Sequence, residues 1–410
     1  MARPGSMEIT KRDGMLVTLV VSLLFMTGFY FVLKAPALTS MTILAVMVGV
    51  ILVLEKMDYL EHIFELFRLH RNFALLLVIA YILALPFLLR QGYLMHILIL
   101  ICIYATICLG INFQMGSTDM VNFAPAAFFG VGAYTSAMLT LRLGISPWLG
   151  FIGAIIMGVL IGYIVGAPTL KTKSYYLSLV TIAMQTIFYL MLMNTKAVGG
   201  PNGLPGVPPF TIGEYSFRGP FTLFGTTLPY QTHYFYLGAA ILLLAAFFAS
   251  KLYNSRVGLA WNAIAGDDVV AACQGINLAK AKLLAFCLGG AFASVAGVVY
   301  AHYMTYVGPD DFTFLRSLII LSMIILGGMD NIIGVIAGAA ILTLVDQKLM
   351  DLTDFRMLAY GLVIVIMLLL RSEGLIPRRI RTYGEYVRIK PLWLIKNGFK
   401  KPAEQKAADK

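Results

Sequence analysis

Two neighbouring carboxylates, Asp267 and Asp268, stand shortly before Gly275 in a polar stretch, Ser255 to Lys282, that interrupts long apolar runs. An aspartate accepts hydrogen bonds from the orphan N–H groups at a helix start, and a glycine adopts the left-handed backbone that ends one. Val269 to Gln274 between them makes roughly two turns. The pattern predicts a short capped helix between two apolar segments, flanked by Lys251, Arg256, Lys280 and Lys282. On physics alone it is either an ordinary connection or a knob on which a cytoplasmic partner docks.

Other chemistry is thin. His96, Arg316 and His302 lie near the ends of apolar runs. An ionisable group at membrane depth is costly and marks function by default, so these three are expected at the interface. The sequence has no HExxH, no GxxxxGK[ST] phosphate loop and no paired carboxylates inside its apolar runs. That argues against an intramembrane metalloprotease, a self-contained ATPase and a proton-coupled carrier. No metal ligand set and no catalytic residue is expected. Of the four cysteines, Cys102, Cys108 and Cys287 fall in apolar runs and Cys273 in the polar stretch, with no disulfide or metal spacing.

The elements that must hold these residues are membrane helices. The chain has 410 residues, 60% of them hydrophobic and only 12% charged, where a soluble domain carries about 25% charge. Apolar runs fall at 14–33, 38–54, 73–89, 94–111, 124–141, 148–167, 175–193, 234–249, 283–303, 314–327, 332–345 and 357–370. The fold expected is an all-α polytopic transmembrane bundle of about 10–12 spans. Several late runs are short, so one or two are candidates for re-entrant or broken helices. Basic clusters at Arg3, Lys11 and Arg12, at Lys56, Arg68 and Arg71, at Lys171 and Lys173, and at Lys251 to Lys282 all fall on one side if the amino terminus is cytoplasmic. The end of the chain, 371–410, holds eleven Lys or Arg against four Asp or Glu and falls there too. Such a tail reads as a positive-inside anchor, with no nucleic-acid partner expected.

Three parts follow: an N-terminal extension, 1–72, with two spans and an amphipathic linker; a core, 73–370, carrying the loop 255–282; and the basic tail, 371–410. Small residues recur every four positions at Gly150, Ala154, Gly158, Gly162 and Gly166, and at Gly289, Ala293, Gly297 and Ala301. Such rows let helix backbones approach closely. A break at Gly116 to Ala124, beside Asn112 and Asn122, is either an ordinary interfacial loop or a place where freed backbone ends would hold a zwitterion.

The ordered segments AAFFGVGAY (Ala126–Tyr134), YLSLVTIA (Tyr176–Ala183), VGGPNGLPGVPP (Val198–Pro209), AIAGDDVVAACQGIN (Ala263–Asn277), YVGPDDFTF (Tyr306–Phe314), LGGMDN (Leu326–Asn331) and RSEGLIP (Arg371–Pro377) resemble the M-type permease of ABC importers for branched-chain amino acids. The resemblance covers roughly residues 90–377. It implies that Gly266, Asp267, Asp268 and Gly275 form a loop coupled to an ATPase. It puts Gly199, Gly200, Pro201, Asn202 and Gly203 in an external turn near a binding protein; Asn112, Asn122 and Tyr134 are candidates for the substrate path. The partners it implies are a second homologous permease, two cytoplasmic ATPase subunits carrying ATP and Mg, a periplasmic substrate-binding protein and the lipid of a bacterial inner membrane, with no cofactor in this chain and both termini cytoplasmic. The chain departs from the family pattern at Ala265–Gly266, where members often carry Arg-Glu, at Ala124–Pro125, where Gly-His or a similar pair is common, and at Thr186, where an acid is often found. A urea or short-amide importer shares the architecture. A stand-alone channel or ion-coupled carrier is the alternative of another class.

Overall fold

The computed structural model describes residues 11–56, 67, 70–169, 174–213, 215–223, 226–350, 361, 365 and 374–376. All belong to the larger of two compact units, Met1–Arg378; the smaller, Arg379–Lys410, lies outside the described residues. So do nearly all of the expected span 357–370, the linker after Lys56 and the basic tail.

Thirteen α-helices are described. They are α1 (Lys11–Lys34), α2 (Ala37–Lys56), α3 (Arg71–Leu88), α4 (Gly92–Thr118), α5 (Pro125–Leu143), α6 (Pro147–Thr169) and α7 (Ser174–Asn194). After a long connection come α8 (Gln231–Tyr253), α9 (Arg256–Gly266), α10 (Asp268–Cys273), α11 (Leu278–Met304), α12 (Phe314–Gly327) and α13 (Ile332–Lys348). Six are long and apolar enough to cross a membrane, those at Val17–Lys34, Gly92–Thr118, Pro147–Pro168, Tyr176–Asn194, Gln231–Tyr253 and Leu278–Met304, with shorter apolar helices at Thr39–Val50, Phe73–Leu88 and Phe314–Gly327. Helix α5 carries several Ala, Gly and Thr and is mostly buried, so its surroundings are protein and it needs less hydropathy.

The core is built on two helices of about 40 Å each. Helix α4 is buried along nearly its whole length, and α11 lies between α4, α5 and α6. The small-residue rows explain how. A Cβ on Gly132 of α5 would overlap the backbone of Ser294, and one on Gly297 would overlap the carbonyl of Phe129. Along α6, Gly158 and Gly162 face Gly290 and Cys287 of α11, while Ile152, Ile156, Leu160 and Tyr163 are exposed on the other side. Close packing of backbones replaces the hydrophobic drive that lipid does not supply. The first two helices join the core through α3 and α13: Tyr81 donates to the Met26 carbonyl at 2.9 Å, and Lys348 to those of Leu33 and Ala35 at 2.8 Å each.

Between α7 and α8 lie short strands, β1 (Leu204–Pro205), β2 (Thr211–Ile212), β3 (Tyr215–Ser216), β4 (Phe221–Leu223) and β5 (Thr226–Leu228). Strands β2 and β3 pair antiparallel, as do β4 and β5, while β1 pairs antiparallel with β6 (Tyr306–Val307), which follows α11. This connection caps one end of the bundle, the strand end. The helices α9 and α10 sit at the other.

Candidate functional site

The three consecutive helices α9, α10 and α11 each start on a side-chain cap. Ser255 accepts from Val257 and Gly258, and Asn277 from Lys280. Between them, the Asp267 carboxylate accepts from the amides of Val269 at 2.7 Å and Val270 at 3.0 Å. Helix α10 runs six residues and stops before Gly275, whose φ is +82°. Asp268 does not cap; it pairs with Lys282 at 2.5 Å. Gly266 is the last residue of α9, with open space where a Cβ would stand. Val269 and Val270 are exposed, 72% and 56%, and Ala271 turns inward. The result is an apolar-tipped protrusion on a rigid mount. Trp261 of α9 is fully buried, donates to the Ala281 carbonyl at 2.9 Å and lies 5.6 Å from the Phe113 ring of α4.

The break after α4 begins at Asp119, at φ +50°, and not at Gly116 as expected. The helix continues through Gly116 because that glycine makes room rather than a stop: a Cβ there would overlap the Asp330 amide. Asn112 and Asn122 are both fully buried. Asn112 donates to the Tyr253 hydroxyl at 2.9 Å and accepts from the Asp330 amide at 2.8 Å. Asn122 donates to Gln114 at 2.7 Å and accepts from the Ala124 amide at 2.8 Å. In this conformation their amides hold the break in place and fix it to α8 and to the turn before α13. Gln185 of α7 completes the anchor, accepting from Ala127 at 2.7 Å and donating to the Phe312 carbonyl at 2.7 Å.

Asp330 belongs to the Leu326–Asn331 motif and takes φ +64° while the Ser117 hydroxyl donates to it at 2.7 Å. Asn331 caps α13. The Leu375 amide bonds the Leu326 carbonyl at 2.9 Å, so the two motifs meet around closely packed Gly328 and Gly374.

A second break precedes α12. Gly199, Gly200 and Gly203 all have positive φ, and a Cβ on Gly203 would overlap the Val307 carbonyl. The Gly-Gly-Pro-Asn-Gly turn, with Pro201 and Asn202 in its 3₁₀ turn, is thus wedged against the chain that leads into α12. Tyr134 is buried, its hydroxyl 3.4 Å from the same carbonyl and its ring 5.7 Å from that of Phe312. The expectation of short late helices holds here: α12 has 14 residues, about 21 Å, against a bilayer core of about 30 Å.

The three ionisable residues expected at the interface differ in setting. His96 is half-buried, with Nδ1 2.7 Å from the Tyr303 hydroxyl. His302 is fully buried under the strand cap, between Ser136 at 2.7 Å and the Pro208 carbonyl at 2.6 Å. Arg316 is inside the bundle. Its guanidinium lies 5.9 Å from the Tyr104 ring and 3.9 Å from the buried Asp346 of α13. Tyr104 is twelve residues into α4, about 18 Å from its start. In the sequence Arg316 stands near the end of the apolar run 314–327, and nothing there signals that α12 starts below the strand end. Asp346 was missed, although it stands one residue beyond the apolar run 332–345.

The family described as "Branched-chain amino acid transport system / permease component" matches residues 93–371. The high-affinity branched-chain amino acid transport system permease protein LivM of Escherichia coli (strain K12) is 33% identical over 316 residues, 74% of this chain and 73% of that protein. A probable LivM of Methanocaldococcus jannaschii is 23% identical over 68% of this chain and 91% of its own length. LivH of Salmonella typhimurium, a permease of the same transport system by name, is 24% identical over 67% and 91%. No solved structure matches. With its bundle of long apolar helices and a match running from the start of α4 past α13, the chain is a multi-pass membrane transport subunit, not an enzyme, and it belongs to the branched-chain amino acid permease family.

Proposed function

We propose that this chain forms, with a second homologous permease, the membrane part of an ABC importer for branched-chain amino acids in a bacterial inner membrane. A periplasmic binding protein delivers the solute at the strand end, and two cytoplasmic ATPase subunits carrying ATP and Mg act at the α9–α10 end. The positive-inside pattern puts both termini in the cytoplasm on this reading. The observation that carries it is α10, a capped, apolar-tipped protrusion tied through Trp261 to the longest core helices. ATP shifts a two-state bundle only by binding one state better, and α10 is the element through which that preference enters.

The test is Gly275→Val in the assembled complex. A β-branched residue at φ +82° is strained, so α10 loses its stop and substrate-stimulated ATP hydrolysis falls. Unchanged coupling removes α10 from this role. Uptake of labelled leucine against labelled urea distinguishes the amino-acid reading from an amide importer.

A further inference from the structure

The segment between β6 and α12 descends into the bundle. Pro309–Phe312 forms one 3₁₀ turn, and Thr313 caps α12 by accepting from Arg316. The Phe312 carbonyl takes its hydrogen bond from Gln185, nine residues before the end of α7, about 13 Å down. The Phe312 ring packs on Tyr134, which is equally far from the end of α5. Phe312 is therefore the deep end of this turn, while Asp310, beside Tyr189 five residues before the end of α7, lies about 8 Å below that end.

Most charges of this segment are answered from within. Arg316 faces Asp346 and Tyr104, and Asp311 is half-buried toward Tyr300 and Arg316. Asp310 is different. Its side chain is exposed, and its hydrogen bond, from the Tyr189 hydroxyl of α7, is long at 3.5 Å. Beside it Phe314 and Leu315 at the start of α12 are also exposed. A carboxylate presented to lipid at this depth is costly, and such groups face a bundle interior or a water-filled cavity. An acid next to two exposed apolar side chains is also the complement of an amino acid with an aliphatic side chain.

We propose that this face is a wall of the solute path, where Asp310 receives the α-ammonium group of the transported amino acid while Phe314 and Leu315 contact its side chain. This rests on the transport function above and adds the residues that recognise the solute within the membrane.

Two measurements on the assembled complex in vesicles test it. Asp310→Asn keeps the shape and removes the charge, so in complexes that size-exclusion chromatography shows to be assembled, labelled-leucine uptake falls about tenfold or more, the loss of one charge-assisted hydrogen bond. Asp310→Cys, in a Cys273→Ser background, reacts with a membrane-impermeant cationic thiosulfonate at least about ten times faster than Ile187→Cys, an exposed apolar position on α7. Wild-type uptake by Asp310→Asn, or labelling at the Ile187→Cys rate, overturns the proposal. Failure of the wild-type complex to carry leucine overturns the assigned transport function instead, and the labelling rate still judges whether the face is wet.

Discussion

Removing the cap of α10 isolates the energetic role of Asp267. A helix of six residues is far below the length at which helices persist alone. What holds α10 is the Asp267 cap, the burial of Ala271 and the Asp268–Lys282 pair, with side chains 45% and 12% exposed. The exposed member keeps that pair's worth to about 1 kcal/mol or less. Asp267→Ala leaves two amides without their acceptor and costs about 1 kcal/mol. That is roughly a fivefold shift from the formed helix toward a frayed one. Asparagine caps as well as aspartate, so Asp267→Asn removes charge while keeping geometry. For the importer proposed above, the assay is ATP hydrolysis by the assembled complex with and without loaded binding protein. The stimulation ratio falls several-fold in Asp267→Ala and stays near wild type in Asp267→Asn. Equal behaviour of the two variants would refute capping as the reason for Asp267; full coupling in both would refute the importance of α10.

Two further predictions concern the bundle. Gly132→Ala pushes a methyl into the Ser294 backbone and destabilises by about 1–3 kcal/mol, whereas Gly266→Ala, with open space, is neutral or stabilising by up to about 1 kcal/mol; thermal unfolding in detergent ranks them. Arg316→Leu takes the guanidinium from the buried Asp346, which keeps Gln347 at 3.5 Å, and costs about 1–3 kcal/mol, and the double variant Arg316→Leu/Asp346→Leu recovers much of the loss in the same assay.

What could be read from the residues was whatever depends on neighbours in the chain. Apolar runs 94–111 and 283–303 locate the two core helices, and Asp267 with Gly275 brackets α10, because hydropathy and capping act within a few residues. The misplacements come from partners far away in sequence. Gly116 resembles a helix stop until Asp330 is seen to occupy the space it leaves. Nothing in the sequence signals the partners that Asn112 and Asn122 hold here, Tyr253, Asp330 and Gln114. Arg316 resembles an interfacial anchor unless its helix is known to begin halfway down, which follows from Gln185 holding the Phe312 carbonyl.

The backbone-to-backbone contacts of α11 with α5 and α6 have a mechanical consequence. Side chains act as bearings between helices, since they change rotamer and let one rod roll over another; glycine rows leave none. Helices α5, α6 and α11 are therefore geared together, and α11 cannot turn about its axis without driving Ser294 into Gly132 and Gly158. On the proposed role of α10, a push would arrive through Trp261 on Ala281, at the first turn of α11. From Ala281 the same helix runs about 32 Å to His302 beneath the strand cap. Such a helix works as a connecting rod, and the give must lie in the two breaks, after α4 and before α12.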